Sequence, residues 1–327
     1  MDRRAFVGVV AVALLAASVD VGAQQRGKLL RVIGWLALGW TGAGLSSPLY
    51  PFRRRLAELG WIEGRDIAIV ARSAENKPER LPELAAELVA LGPEVIVTMG
   101  TPATLAAKKA TARIPIVMTG TDNPVADDLI LSLRRPGGNV TGMGNNPGPE
   151  FYQKMLQYLK DAAPKVSRVA VLRNTEHKRN LAEIQAAAPA VKLTVVDVDV
   201  RTPEQMPSAL AAAVRAGADA LYVMPDYVNG SQTNVIVDFA RRNRLPTIGG
   251  DSYFVDAGGL LSYWADWNEL RRRSANYVDK ILRGADPAVL PIELPETFEL
   301  MINLKTAKEI GITIPNSLLG LASHVVR

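Results

Sequence analysis

Cysteine is absent from the 327 residues, which removes a disulfide framework, a thiolate metal site and a cysteine nucleophile together. It also leaves no thiol for a lipid anchor. Histidine is nearly missing as well. His177 and His324 are the only two, and neither stands in a metal-ligand spacing or beside the partners of a hydrolytic triad. No catalytic residue, metal or cofactor is therefore assigned. The glycine clusters Gly137-Gly138-Asn139 and Gly142-Met143-Gly144 are not phosphate loops, because no Gly-Lys-Ser/Thr follows and no dinucleotide fingerprint opens the first helix. Past the N-terminus there is no run of about 20 apolar residues such as a membrane helix needs. Charge of one sign is not concentrated either. The net charge is +5, but the basic runs Arg53 to Arg55 and Arg271 to Arg273 fall in segments of helical period, where a solvated helix face explains them better than a nucleic-acid surface. No nucleic-acid partner is expected.

What is present is the composition of a folded chain, 48% hydrophobic and 22% charged, long enough for two ordinary domains. Asp2-Arg3-Arg4 is followed by an apolar stretch from Ala5 to Val19 and by the small residues Val21-Gly22-Ala23, the pattern of a cleavable export signal over residues 1–23. The arginine pair also fits a twin-arginine signal. These marks predict a soluble mature protein in the periplasm, not a lipoprotein, and held together without disulfides.

After the signal, strand-like runs alternate with helical segments, the mark of an α/β chain with parallel sheets covered on both faces. Strands are expected at Leu29 to Leu38, Ile67 to Ala71, Val95 to Met99 and Ile116 to Thr119, and later at Arg168 to Leu172, Leu193 to Val198, Ala220 to Met224 and Thr247 to Gly249. Helices are expected between them. They include one from Asp127 to Leu133, one from Ser231 to Asn243 and a long one from Trp267 to Arg283. The cluster Pro136-Gly137-Gly138-Asn139 precedes a first crossing near residues 140–146, and Gly258-Gly259 suggests a second. The expected division is a first Rossmann-like lobe of residues 28–140 plus 264–284, a second of 141–263, and a C-terminal segment, 285–327, packed at the hinge.

In open α/β sheets, ligands sit beyond the carboxyl ends of the strands. Six loops there are rich in small and polar residues: Gly39 to Ser47, Gly100-Thr101-Pro102, Gly120-Thr121-Asp122-Asn123, Asn174-Thr175-Glu176, Pro225-Asp226-Tyr227 and Gly250-Asp251-Ser252-Tyr253. Gly100-Thr101-Pro102 opens a helix whose free N–H groups suit a carboxylate, and Asp226 and Asp251 suit an ammonium. The expected ligand-facing residues are Ser46, Thr101, Thr121, Asp122, Asn174, Asp226, Tyr227, Asp251 and Tyr253. Simple helix capping is the competing reading for each Thr and Asp. Trp264 and Trp267 read as structural.

The segments LAELGWIEGRDI (Leu56 to Ile67), LAAELVALGPEVIVTMGTPAT (Leu84 to Thr104), IPIVM (Ile114 to Met118), SLRRPGGNVTGM (Ser132 to Met143), GGLLSYW (Gly258 to Trp264), YVDKILRGADPAVLPIELP and FELMINLKTAKEIGITIP resemble the substrate-binding proteins of ABC transporters, typified by tryptophan- and tyrosine-binding members with the type I periplasmic-binding fold. The resemblance runs from about Val32 to the C-terminus. It implies two lobes closing around a small organic solute, an amino acid or related compound, for delivery by a monomer to a membrane permease, with no chemistry performed. One departure is Asp122-Asn123-Pro124, where members usually have Asp-Pro, and Asp127-Asp128 replaces a small residue and glycine. A periplasmic sensor feeding a signalling receptor and an exported hydrolase are the alternative readings; a DNA-binding repressor of similar fold would need a helical headpiece where this chain has its signal.

Overall fold

The computed structural model describes residues 30–39, 47–145, 148–174, 178–250 and 252–327. The signal segment, the loop holding Ser46, His177 and Asp251 lie outside the described residues.

Two sheets organise the chain. The first has five parallel strands in the order β2-β1-β3-β4-β5, where β1 is Arg31–Ala37, β2 Ile67–Ser73, β3 Val95–Met99, β4 Ile116–Thr121 and β5 Val140–Gly144. Strand alternation feeds a core on each face. From β1, Ile33 and Trp35 join Val95 and Val97 of β3 on one side, with Phe52 and Leu56 of α1 (Leu49–Glu58). Leu36 and Ile96 point the other way, into Leu84 and Leu88 of α2 (Leu81–Ala90) and Ala103 and Ala107 of α3 (Gly100–Ala110). Proline opens α2 near its start, where its missing N–H costs nothing.

The second sheet is seven-stranded, ordered β12-β11-β10-β9-β8-β6-β7. Its strands are β6 Arg168–Arg173, β7 Thr194–Asp199, β8 Ala220–Val223, β9 Thr247–Gly249, β10 Leu261–Ala265, β11 Phe298–Asn303 and β12 His324–Val326. All neighbours run parallel except β10 with β11. Its helices are α4 Pro149–Ala162, α5 Lys178–Ala187, α6 Met206–Arg215, α7 Tyr227–Ser231, α8 Thr233–Arg242 and α9 Ser252–Asp256. The long α10, Trp267–Leu282, leaves this sheet and packs on α1, β3, β4 and β5 of the first. The short α11 (Leu304–Ile310) and α12 (Asn316–Leu319) sit between β11 and β12. Each sheet therefore has a switch in winding order, at β1/β3 and at β6/β8, and the strand ends there face each other. This is the two-lobed α/β architecture of type I periplasmic binding proteins.

Three local expectations change. Residues 127–133 are not helical: the N–H groups of Leu129 and Ile130 both donate to the Pro124 carbonyl, at 2.9 and 3.2 Å, and Asp128 sits at φ 54, so the chain closes a turn instead of propagating. The helix expected from Ser231 is interrupted at Gln232, because Asp226 caps a separate α7. Gly258-Gly259 is not an interlobe crossing. It is a tight turn into β10, where a Cβ on Gly259 would lie 2.3 Å from the Phe254 ring, and the chain leaves the sheet only at Asp266, whose carboxylate accepts the N–H groups of Asn268 and Glu269 to start α10. The chain returns through residues 283–297, tied to β5 by the Gly144 N–H to Glu293 carbonyl bond of 2.9 Å and to α10 by the Arg273 ion pair with Glu293.

Candidate functional site

The carboxyl ends of β1, β3 and β4 on one side and β8 and β9 on the other enclose a cavity of about 690 Å³. Thr101, Asp122, Asp226 and Tyr227 line it, together with Leu38, Met99, Asn145, Asn180, Asn229 and Trp267. It lies where the winding order switches in each sheet, the place where such folds bind ligands.

Glycine conformation shapes the first side of the cleft. Gly100 has φ +76, which turns the chain from β3 straight into α3 and presents that helix's unbonded N–H groups at the cavity. Gly120 has φ +74, and a Cβ there would meet the Trp267 ring at 2.4 Å. The indole of α10 therefore seats directly against the β4 loop and walls the cavity. The two loops are joined, since the Asp122 N–H reaches the Thr101 hydroxyl at 3.4 Å.

Asp122 is the electrostatic centre. Asn145, buried at the end of β5, donates Nδ2–H to Asp122 Oδ1 at 3.3 Å. The surrounding walls withhold water from the carboxylate, and this, partly offset by the Asn145 bond and reinforced by the charge of Asp127, lifts its pKa to about 7. Its field also reaches across the cleft, raising the phenols of Tyr152 and Tyr222, for which burial is the larger cause. Tyr152 accepts a 2.7 Å bond from the cavity-lining Asn180. Tyr222 Oη is buried with no hydrogen-bond partner.

Asp226, at the carboxyl end of β8 in the second sheet, is differently employed. Its Oδ1 accepts the Asn229 N–H at 2.8 Å, and its Oδ2 accepts Asn229 Nδ2–H at 2.8 Å and the Asn174 N–H at 3.1 Å. It caps α7 and pins the β6 loop. Asn229 in turn spends its amide hydrogens on the carbonyls of Leu172 and Met224 and on Asp226, leaving Oδ1 buried without a partner.

The remaining expected residues separate. Thr121 is fully buried within β4, its hydroxyl 3.2 Å from that of Thr104. Asn174 is buried and meets the site through its backbone bond to Asp226. Tyr253 borders a second cavity beside the first. Ser46 and Asp251 are outside the described residues. Sequence reasoning did not single out Asn145, Asn180, Asn229 or Trp267 as site residues. Asn145 carried a usable signal, being the first residue after a strand that ends at the cleft.

Among the described residues no group of three or more His, Cys, Asp or Glu side chains could hold a metal ion, and no helix is long and apolar enough to cross a membrane. A two-lobed α/β molecule with a cleft at both switch points has the architecture of the type I periplasmic-binding class. The chain belongs to the family of ABC transporter substrate binding proteins, whose model matches residues 45–326. It is 27% identical over 264 residues to a tyrosine-binding protein of Clostridioides difficile (strain R20291), covering 80% of this chain and 75% of that one. Among solved structures, an ABC domain from Streptococcus pneumoniae in complex with L-Trp superposes with a TM-score of 0.82 at 27% identity, covering 91% of this chain and all of the other. A substrate binding protein with adhesive properties from Clostridium difficile, in its ligand-free, open form, gives 0.70 at 25% identity, covering 91% of this chain and 99% of that one.

Proposed function

We propose that this chain is the exported solute-binding component of an ABC importer, and that its solute is a small organic molecule carrying a protonated amine, an amino acid or close relative. The observation that carries the solute class is the sign of the cavity. Asp122, Asp127 and Asp226 line it and no Lys, Arg or His does among the described residues, although the chain as a whole is basic. A buried acceptor, Asn229 Oδ1, is unmet there. An ammonium supplies both the positive charge and the N–H donors that such walls lack. Asp226 is already met by three protein N–H donors, whereas Asp122, which accepts Asn145 Nδ2–H, is desolvated beside the like charge of Asp127. Asp122 is therefore the carboxylate assigned to that ammonium. A solute carboxylate fits the start of α3 at Gly100-Thr101, where helix N–H groups and dipole favour an anion. Leu38, Met99, Leu105, Tyr227, Phe254 and Trp267 give the side chain an apolar, aromatic bed. The relatives that bind tyrosine or hold L-Trp support the same class.

Binding of this kind makes and breaks no covalent bond. A solute touching loops of both sheets favours the closed arrangement over the open one by its differential contacts, and the permease reads that closure. The higher likeness to the L-Trp complex than to the open, ligand-free structure, at equal coverage of this chain, supports a closed arrangement for the described chain. Export by the N-terminal signal, a periplasmic location and action as a monomer complete the proposal. A thermal-shift screen of the mature protein tests it: a binding amino acid at 100 times its Kd adds about 2.7 kcal/mol. Shifts with sugars or dicarboxylates and none with any amino acid or amine would reject the solute class.

A further inference from the structure

Beside the first cavity lies a second of about 490 Å³, and the two share Leu38, Gly39, Met99, Gly100, Pro225 and Trp267. Its character is different. Trp35, Trp264, Trp267 and Tyr253 line it together with Arg271, its one cation among the described residues.

Two donors in this lining are unmet. Trp264 Nε1–H and Arg271 Nε–H are both withdrawn from solvent and have no hydrogen-bond partner; Trp264 as a whole is only 4% exposed. Arg271 uses Nη1 on Asn268 Oδ1 at 3.3 Å and stacks over the Trp267 ring at 5.6 Å. Its Nε edge, the edge that takes a carboxylate in two parallel bonds, is not engaged. The guanidinium is also short of counter-charge, since burial outweighs the nearby Asp266 and brings its pKa down to about 10. Buried donors without acceptors are costly and uncommon; here both are donors, and both belong to the lining of one cavity. An acceptor that also carries negative charge answers both deficits.

Two carboxylates border the same cavity and must be reckoned with. Asp266 Oδ1 accepts both N–H groups that open α10, while its charge acts on Arg271 and Glu299. Glu299 stands exposed at the rim, and its pKa is raised by burial of the carboxyl and by Asp266, against a lowering influence of His324. Neither carboxylate is hydrogen-bonded to Arg271 Nε or Trp264 Nε1.

We propose that this second cavity is a binding subsite for a planar aromatic carboxylate, its ring between the tryptophan faces and its oxygens on Arg271 and Trp264 Nε1–H. The subsite stands on its own lining and does not depend on the ammonium reading of the first cavity. Its opening into that cavity would let one long solute occupy both.

Two probes separate the sites in the full mature protein. 3-Phenylpropanoate has a ring and a carboxylate but no amine; phenethylamine has a ring and an amine but no carboxylate. Tryptophan fluorescence reads the second cavity directly, since Trp35, Trp264 and Trp267 line it. Saturable quenching by 3-phenylpropanoate is expected, with Arg271→Gln and Trp264→Phe each weakening it by about tenfold or more while leaving phenethylamine affinity unchanged. Trp264→Phe keeps an aromatic ring while removing the N–H and part of the indole, so it gives a second reading if Arg271→Gln unfolds. Absence of saturation in the wild type, or an affinity that neither variant alters, overturns the subsite. A wild type that ignores phenethylamine would reject the ammonium reading of the first cavity, while saturable quenching of that same protein by 3-phenylpropanoate, weakened in the variants, would still uphold the second.

Discussion

Asp122 follows β4 in the first sheet and Asp226 follows β8 in the second, and both line the same cleft. Their surroundings set them apart. Asp226 is met by three N–H donors from Asn174 and Asn229, whereas the walls around Asp122 withhold water and the neighbouring Asp127 adds like charge, so that its pKa climbs to about 7. The same residue type at the carboxyl end of a strand is a cap in one sheet and, in the proposed function, a site for an arriving cation in the other. The difference lies in the surroundings that each strand end gives its carboxylate.

This contrast can be broken in four places. The largest effect belongs to Asp122→Asn, which removes the charge and keeps the shape. Affinity for an amine-bearing solute should fall roughly 30- to 100-fold by calorimetry, the worth of a charge-assisted bond. An unchanged affinity would remove Asp122 from the site. Asp226→Ala should act on stability instead, lowering the urea unfolding free energy by about 2–3 kcal/mol through the lost cap and the stranded N–H groups; if affinity falls and stability does not, the roles of the two aspartates are reversed.

The third break uses pH. A carboxyl whose folded pKa is raised stabilises the empty protein fully below its unfolded value, near 3.8, and that contribution is lost as pH rises to about 7. Amine affinity should run the opposite way, weakening toward about tenfold per unit as pH drops below 7, and Asp122→Asn should flatten both profiles. A profile that survives the substitution would assign the titration to another group. The smallest effect is expected for Tyr152→Phe, which removes the acceptor that orients Asn180 at the cavity wall and should cost about 1 kcal/mol of stability, read from the shift in urea midpoint.

The fold was largely legible because its signals are local and repeated. Val95 to Met99 reads as a buried strand, and Leu84 and Leu88 lie on the inner stripe of α2, with Gly100 marking the strand-to-helix turn. Legibility failed where tertiary bonds override local pattern: the Pro124 carbonyl gathers the turn that stands in place of a helix at 127–133, and Phe254 rather than a hinge explains Gly259. The site was legible as a set of loops and much less as a set of side chains. Nothing in the string separates Asp122 from Asp226, because the distinction rests on N–H groups of Asn174, 52 residues away in the chain, and of Asn229. Trp267 read as structural for a similar reason. Its position against Gly120 depends on α10 crossing back to the first sheet, which no local pattern states.

The central claim is tested most directly by a crystal structure of the mature protein grown with L-phenylalanine. The account predicts the amino nitrogen within hydrogen-bond reach of the Asp122 carboxylate, with loops of both sheets touching the solute. An amine held elsewhere, or a solute resting on one sheet alone, would contradict it.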